Sequence, residues 1–220
     1  MAYIDFITQN HTKTKRNYLE RVNEAPKAEV ATIASKFDKE YWDGERKYGY
    51  GGYRYDGRWQ KVAQKLIDHY KLKPGDKVLD IGCGKGFLLH DLNTTIPGIE
   101  VVGIDISSYA IKHAKAEIKD RLIVGNATSL PFEDNEFDLV ISLNTLHNLP
   151  CHMLEKALEE MQRVGKKNKY LVVESYRNEE EKVNLLYWQL TCQSFFSPDE
   201  WHWWFRHCNY NGDHCFIYFE

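Results

Sequence analysis

The sequence predicts an α/β protein in which helices cover both faces of a doubly wound, mostly parallel sheet. Short apolar runs suited to buried strands alternate with segments whose apolar residues recur every three to four positions. A glycine-rich loop directly follows the first of these runs. The later run "KYLVVESY" is almost continuously apolar, which is expected when helices bury both faces of a strand. A chain of 220 residues is long enough for one such core.

The elements of the core can be justified in chain order. Apolar residues at helical spacing between Trp59 and Tyr70 predict a helix that ends before the Pro-Gly turn in "KPGD". Predicted strands follow at "KVLDIG", "EVVGID", "RLIVGN", "EFDLVISL" and "KYLVVESY". Predicted helices lie between them, one over "FLLHDL", one capped by Ser107 and reaching Ile118, and one in "LEKALEEMQRV".

The carboxyl-terminal part predicts one more helix and one more strand. Ser197 can cap a helix, Pro198 suits its first position, and Glu200 completes a capping box, so a helix through Cys208 is expected. The closing "GDHCFIYFE" is predicted to be a strand, whose place in the sheet the sequence leaves open.

The amino-terminal part is less regular. Residues 1–57 are interpreted as a helical segment that acts as a lid, and residues 58–220 as the core domain. The stretch "YGYGGYRY" is symmetric about Gly51 and Gly52, so a two-residue hairpin flanked by Tyr50 and Tyr53 is expected. It would either cover a ligand, with Arg54 available to bind a carboxylate or phosphate, or simply pack on the core.

Composition limits the class of partner. A net charge of −3 gives no broad positive field, which disfavours nucleic-acid binding. Without a long apolar run or a secretory signal, we expect no membrane span and a cytoplasmic protein. The five cysteines are odd in number and scattered, which indicates free thiols. The histidines and cysteines near the carboxyl terminus lack a Cys-x-x-Cys pair, so no metal site is predicted.

The stretch "VLDIGCGKGF" is the most informative one for function. Asp80 ends a strand, and Gly82, Gly84 and Gly86 alternate before a helix, at the edge of an α/β sheet where ligands gather. A dinucleotide fingerprint would need a glycine where Phe87 stands. The Asp80 carboxylate would also repel a pyrophosphate and attract an ammonium group. The expected ligand is therefore cationic at this end.

Together with "VVGIDIS", "GNATSLPFEDNEFDLVIS" and "LNTLHNL", this stretch resembles the class I S-adenosylmethionine-dependent methyltransferases over residues 59 to 176. The resemblance implies a Rossmann-like fold and S-adenosyl-L-methionine as cofactor. The family usually closes its sheet with an antiparallel pair of strands. Because the sequence offers one confident strand there, a shortened sheet edge is expected.

The resemblance also implies roles for individual residues. Asp80 would serve the methionine ammonium, Asp105 the ribose hydroxyls, and Ile106 would pack on the adenine. Asn126 stands where the family commonly has an acidic residue at the adenine edge, and its carbonyl could accept from the adenine amino group. The full cofactor-binding set expected here is Asp80, Gly82, Cys83, Gly84, Gly86, Asp105, Ile106, Asn126, Ala127 and Leu143.

Methyl transfer needs mainly positioning of the acceptor, with a base where a proton must leave. In the family, residues after the fourth strand face the methyl end of the site, so Asn144, His147 and Asn148 are candidates for acceptor contacts. Tyr50 and Tyr53 from the tyrosine-glycine stretch join them. His147 is either a base or an ordinary hydrogen-bonding loop residue. The tryptophan-rich carboxyl-terminal segment would close the acceptor pocket or form a homodimer contact; its tryptophans are Trp188, Trp201, Trp203 and Trp204.

The expected activity is methyl transfer to a nitrogen or oxygen atom of a small molecule. Two alternatives stay open: a protein or peptide methyltransferase, and a protein that binds the cofactor without catalysis. Nucleic-acid methylation is weaker, since no Asn-Pro-Pro-aromatic motif follows the fourth strand.

Overall fold

The computed structural model describes residues 1–11 and 16–220. In this part of the chain a single sheet contains the strands β1 (Lys77–Ile81), β2 (Glu100–Asp105), β3 (Leu122–Val124), β4 (Phe137–Leu143), β5 (Gly165–Glu174) and β6 (Asp213–Ile217). The strands lie in the order β3-β2-β1-β4-β5-β6, and each neighbouring pair is parallel. The strand order reverses between β1 and β4. The predicted doubly wound α/β class is confirmed.

Helices precede the sheet and alternate with its strands. They are α1 (Thr8–His11), α2 (Tyr18–Asn23), α3 (Lys27–Ala34), α4 (Lys39–Asp43), α5 (Gln60–Tyr70), α6 (Phe87–Thr95), α7 (Ser108–Lys112), α8 (Cys151–Val164), α9 (Glu179–Trp188) and α10 (Pro198–His207). Helix α10 begins with the predicted capping box between Ser197 and Glu200.

Both faces of the sheet are buried, as the apolar run in β5 indicates. Val172 packs into the cluster that holds Leu66 of α5 and Leu89 of α6, whereas Val173 packs with Leu158 of α8 on the other side. Each such side chain contributes roughly 1.5–3 kcal/mol by leaving water. The two clusters fix the sheet, and with it the positions of the residues that follow its strands.

The carboxyl-terminal strand lies where the sequence could not place it. β6 pairs in parallel with β5, and the described residues contain no antiparallel partner for it. Its outer edge is met instead by the amino terminus, where Ile4 N donates to His214 O at 2.9 Å and His214 N to Ala2 O at 2.9 Å. The expected shortening of this edge is thus accompanied by backbone pairing with the start of the chain.

Two helices differ from expectation. The helix capped by Ser107 ends at Lys112, because the chain then turns and buries Ile118 against Gly86, where any β-carbon would clash with Cδ1 of Ile118. Helix α9 was not expected, since its apolar residues do not follow one face. Its amino-terminal cap, in which Asn178 accepts from Glu181 N at 2.9 Å, nevertheless has a recognisable sequence signal.

Further expectations concern cysteines, membranes and metals. The five cysteines form no disulfide. None of the helices in the described ranges is long and apolar enough to cross a membrane. Within the same ranges, no three histidine, cysteine, aspartate or glutamate side chains are grouped as metal ligands.

Candidate active site

The carboxyl ends of β1, β2 and β4 meet where the strand order reverses, which is the usual ligand position in an open α/β sheet. This geometry brings Asp80, Asp105 and Leu143 to one edge. Three adjoining cavities follow that edge, of about 130, 50 and 370 Å³, and are called here the first, second and third cavity.

The glycine loop after β1 leaves no room for side chains beside these cavities. Gly84 has φ +55°, and a β-carbon there would lie 2.8 Å from Cη2 of Trp42. Gly82 has φ +80°, and its β-carbon would overlap the side chain of Thr145. The third glycine has a packing role against Ile118 instead. The loop therefore lets its backbone approach whatever the first two cavities hold.

The first cavity is built around Asp105. Its carboxylate accepts the backbone N–H of Gly84 at 2.7 Å and that of Ser107 at 2.8 Å. Burial raises the pKa of Asp105, and the two backbone donors oppose that rise. Each carboxylate oxygen keeps acceptor capacity, so Asp105 can take hydroxyl protons from a ligand. The predicted residues Ile106, Asn126, Ala127 and Leu143 also line this cavity.

Asn126 differs in detail from its expected role. Its Oδ1 already accepts from Thr128 N at 3.0 Å and from Thr128 Oγ1 at 3.1 Å. These bonds use the carbonyl that was expected to accept from an adenine amino group. The Nδ2 group bonds none of the described residues, so Asn126 offers a donor to the cavity and not an acceptor. The expected role changes because the Asn126 side chain bonds Thr128 in a local turn that the sequence does not reveal.

The second cavity contains Asp80, Cys83 and the backbone of the glycine loop. Asp80 is 5% exposed, and its Oδ1 has no hydrogen-bond partner within the described ranges. Burial, and then the Asp105 charge, raise the pKa of Asp80 to about 7. A buried, unpaired carboxylate is costly, and a cationic donor would satisfy it. This acceptor fits the ammonium group of an amino acid.

Residues 37–59, which are rich in aromatic side chains, line all three cavities. This part of the chain is called the cover segment. The prediction of a hairpin within this segment is wrong. Tyr50 N donates to Tyr41 O at 2.9 Å, and Gly52 N and Tyr53 N donate to Trp42 O at 3.1 and 2.9 Å. Because these donors bond the last carbonyls of α4, the tyrosine-glycine stretch wraps around the end of that helix and does not pair with itself.

An ion pair between the buried Lys85 and the partly exposed Asp43 connects the cover segment to the glycine loop. Lys85 Nζ lies 2.7 and 2.8 Å from the two carboxylate oxygens of Asp43 and donates to Tyr53 O at 2.8 Å. Trp42 Nε1 donates to Ser107 Oγ at 2.9 Å, and its ring stacks on Tyr50 with centroids 5.3 Å apart. No sequence pattern indicates this role for Lys85.

The third cavity is the candidate acceptor site. Tyr50 and Asn144 line it and also both smaller cavities, so they lie at the junction of the three. Tyr53 also lines it, but its hydroxyl already accepts from Trp59 Nε1 at 3.0 Å. Its walls further include His11, Arg16, Arg21, Arg46, Arg58, His147, Asn148, Glu174 and Trp188.

Asn144 is held in an unusual conformation at this junction. Its φ is +55°, and its Nδ2 lies 3.1 Å from His11 Nε2. Burial, and then the charge of Arg16, lower the pKa of His11 to about 4, so the imidazole is neutral and can accept from Asn144. Asn144 Oδ1 is buried and has no partner in the described part of the chain. It is an unused hydrogen-bond acceptor at the junction of the three cavities.

His147 is placed beside the acceptor cavity but is poorly suited to be a base. It is 2% exposed, and burial, followed by the His11 charge, lowers its pKa to about 3. Its Nδ1 accepts a hydrogen bond from the backbone N–H of Glu174 at 3.4 Å, and its Nε2 lies 3.3 Å from Glu174 Oε2. Burial raises the pKa of Glu174 to about 8, so both groups are predominantly neutral at neutral pH. The geometry favours a positioning role for His147.

The tryptophan-rich segment lines the third cavity at its start, through Trp188, but not through helix α10. Trp201 is fully buried in the core and Trp203 is half exposed, while Trp188 at the end of α9 is the tryptophan of this region that lines the cavity. A dimer contact through Trp203 stays a prediction. Arg54 is exposed and lines none of the three cavities.

Sequence reasoning missed several residues of the third cavity, namely His11, Arg16, Arg21, Arg46 and Glu174. Glu174 could have been found, because it is a polar residue at the carboxyl end of an apolar strand. The others come from the irregular amino-terminal part, where no periodic pattern indicates which side chains face inward.

Comparison with known proteins assigns the family. A family model described as a methyltransferase domain matches residues 72–209, more than half of the chain. A demethylmenaquinone methyltransferase of Staphylococcus carnosus is 36% identical over 113 residues, which cover 49% of this chain and 45% of that protein. The 27-O-demethylrifamycin SV methyltransferase of Amycolatopsis mediterranei is 30% identical over 135 residues, 57% of this chain and 47% of the relative. The chain spans about half the length of the curated relatives it matches.

Solved structures agree on the fold. A protein of Haloferax volcanii, solved in complex with the Trm112 methyltransferase activator, is 28% identical with a TM-score of 0.53, covering 70% of this chain and 72% of that one. The YcgJ protein of Bacillus subtilis is 24% identical with a TM-score of 0.55 over 66% of each chain. The chain therefore belongs to the class I S-adenosylmethionine-dependent methyltransferase family.

Proposed function

We propose that this protein transfers a methyl group from S-adenosylmethionine to an oxygen or nitrogen atom of a small-molecule acceptor. The observation that carries the proposal is the continuity of the three cavities, which share Tyr50 and Asn144. Cofactor and acceptor would meet at these two residues. The work of the protein would then be mainly to hold the acceptor atom in line with the methyl group.

The first two cavities offer what each part of the cofactor needs. Asp105 would accept the ribose hydroxyls, and the Nδ2 group of Asn126 would donate to a ring nitrogen of the adenine. Asp80 Oδ1, a buried acceptor without a partner in the described ranges, would receive the ammonium group. When bound there, S-adenosylmethionine supplies a methyl group on a positively charged sulfur. The chain itself supplies orientation and the exclusion of water.

A small acceptor is favoured by the size of the third cavity. The cover segment, the end of α9 and the residues after β4 form its walls, and its volume is about 370 Å³. That size lies at the lower end of ordinary small-molecule sites. The names of the menaquinone and rifamycin methyltransferases that this chain resembles also point to small organic acceptors.

Where the acceptor must lose a proton, Glu174 is the group we assign as base. It lines the third cavity, and its pKa of about 8 lies closer to neutral than that of His147. Its buried Oε2 has His147 Nε2 at 3.3 Å but forms no hydrogen bond of regular geometry in the described part of the chain. An oxygen acceptor would therefore show a turnover that rises with pH toward about pH 8, and Glu174→Gln would flatten this profile.

Two measurements test the proposal. Calorimetry should show that the purified protein binds S-adenosylhomocysteine. Incubation with isotopically labelled S-adenosylmethionine and fractionated metabolite pools should then transfer label to a small molecule and not to added peptides. Cofactor binding with no labelled product in any pool would favour a cofactor-binding protein without catalysis, and label in peptides would favour the peptide alternative.

A further inference from the structure

The third cavity contains an unusual concentration of positive charge. Three guanidinium groups surround one indole ring: the central carbons of Arg16, Arg21 and Arg46 lie 5.5, 5.6 and 5.6 Å from the Trp188 ring centroid. These four residues line the third cavity and neither of the smaller ones. The charge therefore lies on a part of the third cavity that neither smaller cavity shares.

Little negative charge compensates this cluster. Arg21 lies 3.6 Å from Glu24, which is the one ion pair that these three arginines form within residues 1–11 and 16–220. Residues 12–15, Thr-Lys-Thr-Lys, contain no acidic side chain. Burial raises the pKa of Glu174, the carboxyl group that lines the cavity, to about 8, although the charge of Arg16 opposes that rise. Arg16 and Arg46 thus leave about two positive charges uncompensated.

The arginines also have unused donors. The Nε atoms of Arg16 and Arg21 are buried and have no hydrogen-bond partner among the described residues. Burial, and then the charge of Arg46, lower the pKa of Arg21, which shows that these like charges oppose one another. Cation–π contact with Trp188 offsets part of that cost, but it does not satisfy the N–H groups. A bound anion would reduce the repulsion between the arginines and would also accept hydrogen bonds from their N–H groups.

We propose, on the basis of the function proposed above, that the methyl acceptor is an anion whose phosphate or carboxylate group is bound by Arg16, Arg46 and Arg21 beside Trp188. Guanidinium forks match both groups in a bidentate manner. About two uncompensated charges suit a phosphate ester or a dicarboxylate. The anionic group would fix one end of the acceptor, and the atom to be methylated would lie at the other end, near Tyr50 and Asn144.

The test uses the full chain and simple anions as probes. The protein is first titrated with S-adenosylhomocysteine, and the saturated complex is then titrated at physiological salt with pyrophosphate, inorganic phosphate and succinate. Arg16→Gln and Arg46→Gln should each weaken anion binding by about tenfold or more, because each removes a charge-assisted hydrogen bond. Arg54→Gln, which removes the same charge from an exposed position of the cover segment, should leave anion binding unchanged.

The outcomes separate the two proposals. Failure of the wild-type protein to bind S-adenosylhomocysteine contradicts the proposed function. Cofactor binding without binding of any anion, or equal anion binding by the Arg16, Arg46 and Arg54 variants, overturns the anionic acceptor. Tighter binding of phosphates identifies a phosphate ester, and tighter binding of succinate identifies a carboxylate. The cofactor titration of each variant shows whether it is folded. A labelled product that fails to bind an anion-exchange resin would also overturn the inference.

Discussion

At the scale of residues, the site is defined by buried polar atoms that the folded chain leaves without partners. Asp80 Oδ1, Asn144 Oδ1 and Glu174 Oε2 are such atoms, and each lines one or more of the adjoining cavities. Leaving a buried acceptor unsatisfied costs about 1–3 kcal/mol, so these positions reduce stability for the sake of ligand binding. The protonation of the two carboxyl groups should therefore be coupled to binding and to folding.

Asp105→Ala should weaken binding of S-adenosylhomocysteine by about tenfold or more, since in the proposed cofactor position this carboxylate accepts the ribose hydroxyls. Calorimetry measures this affinity. Asp120→Ala, which removes an exposed carboxylate near the start of β3, is the control and should bind normally. An Asp105→Ala protein with the wild-type affinity would show that the ribose lies elsewhere.

Asp80 should make cofactor binding pH-dependent. Burial raises its pKa to about 7 in the ligand-free protein, so below that value the carboxyl group must lose a proton before it can pair with an ammonium. The dissociation constant for S-adenosylhomocysteine should fall roughly 25-fold as the pH rises from about 5.5 to about 7.5. Asp80→Asn should bind weakly and without this dependence. An equally steep profile in the variant would assign the titration to another group.

Glu174 should lower the stability of the ligand-free protein as the pH rises. The folded chain keeps its proton up to about pH 8, whereas the unfolded chain releases it near pH 4.3. Between these values the unfolded state binds fewer protons, so the free energy of unfolding falls with increasing pH.

Glu174→Gln should remove this pH-dependent loss of stability. The melting temperature of the variant, measured relative to the wild type, should therefore increase from about pH 5 to about pH 8. If the amide itself destabilises the fold, it lowers the melting temperature of the variant by the same amount at every pH. It does not change how the difference from the wild type varies with pH. A difference that is independent of pH would show that Glu174 is ionised in the folded protein throughout.

At the scale of elements, the sheet could be predicted from sequence and the cover segment could not. Strands such as β2 were recognised because buried apolar runs and their turns are local signals. The cover segment depends on non-local contacts, such as that between Trp42 and Gly84, which no periodic pattern indicates. A hairpin was expected because tyrosines lie symmetrically on both sides of Gly51 and Gly52. The N–H groups of this stretch instead donate to the carbonyls at the end of α4.

The same distinction holds for the site. Residues at strand ends, such as Asp80 and Asp105, were predicted because the fold class places strand ends together. Arg16 and Arg46 were not, because their inward position is set by the amino-terminal segment, whose sequence lacks a regular pattern. Site residues held by the sheet are thus accessible to sequence reasoning, and those held by covering segments are not.

Asp43→Ala should loosen the cover segment. It leaves the Lys85 side chain, which is 6% exposed, without its carboxylate partner, and should reduce the free energy of unfolding by about 2–4 kcal/mol. Hydrogen exchange at the amides of Tyr50, Gly52 and Tyr53 should become faster. Glu45→Ala breaks only an exposed pair with Lys47 and should change stability by less than about 1 kcal/mol. Unchanged exchange in Asp43→Ala would show that packing alone holds the segment.

At the scale of the whole molecule, the chain combines a sheet whose strand ends line the first two cavities with an amino-terminal part that forms much of the third. The first residues pair with the outer edge of β6, and residues 10–11 and 16–59 supply much of the wall of the third cavity. Removing the amino-terminal residues would therefore expose an edge of the sheet and open the third cavity. The strands β1, β2 and β4, which end at the other two cavities, would remain.

The central claim is that the edge at β1, β2 and β4 holds a sulfonium nucleoside directed toward the arginine-lined cavity. A crystal structure with S-adenosylhomocysteine tests it most directly. We expect ribose hydroxyls on Asp105, the amino group within hydrogen-bond distance of Asp80 Oδ1, and the sulfur nearest the junction formed by Tyr50 and Asn144. A ligand bound away from this edge, or bound with its sulfur facing away from the third cavity, would contradict the claim.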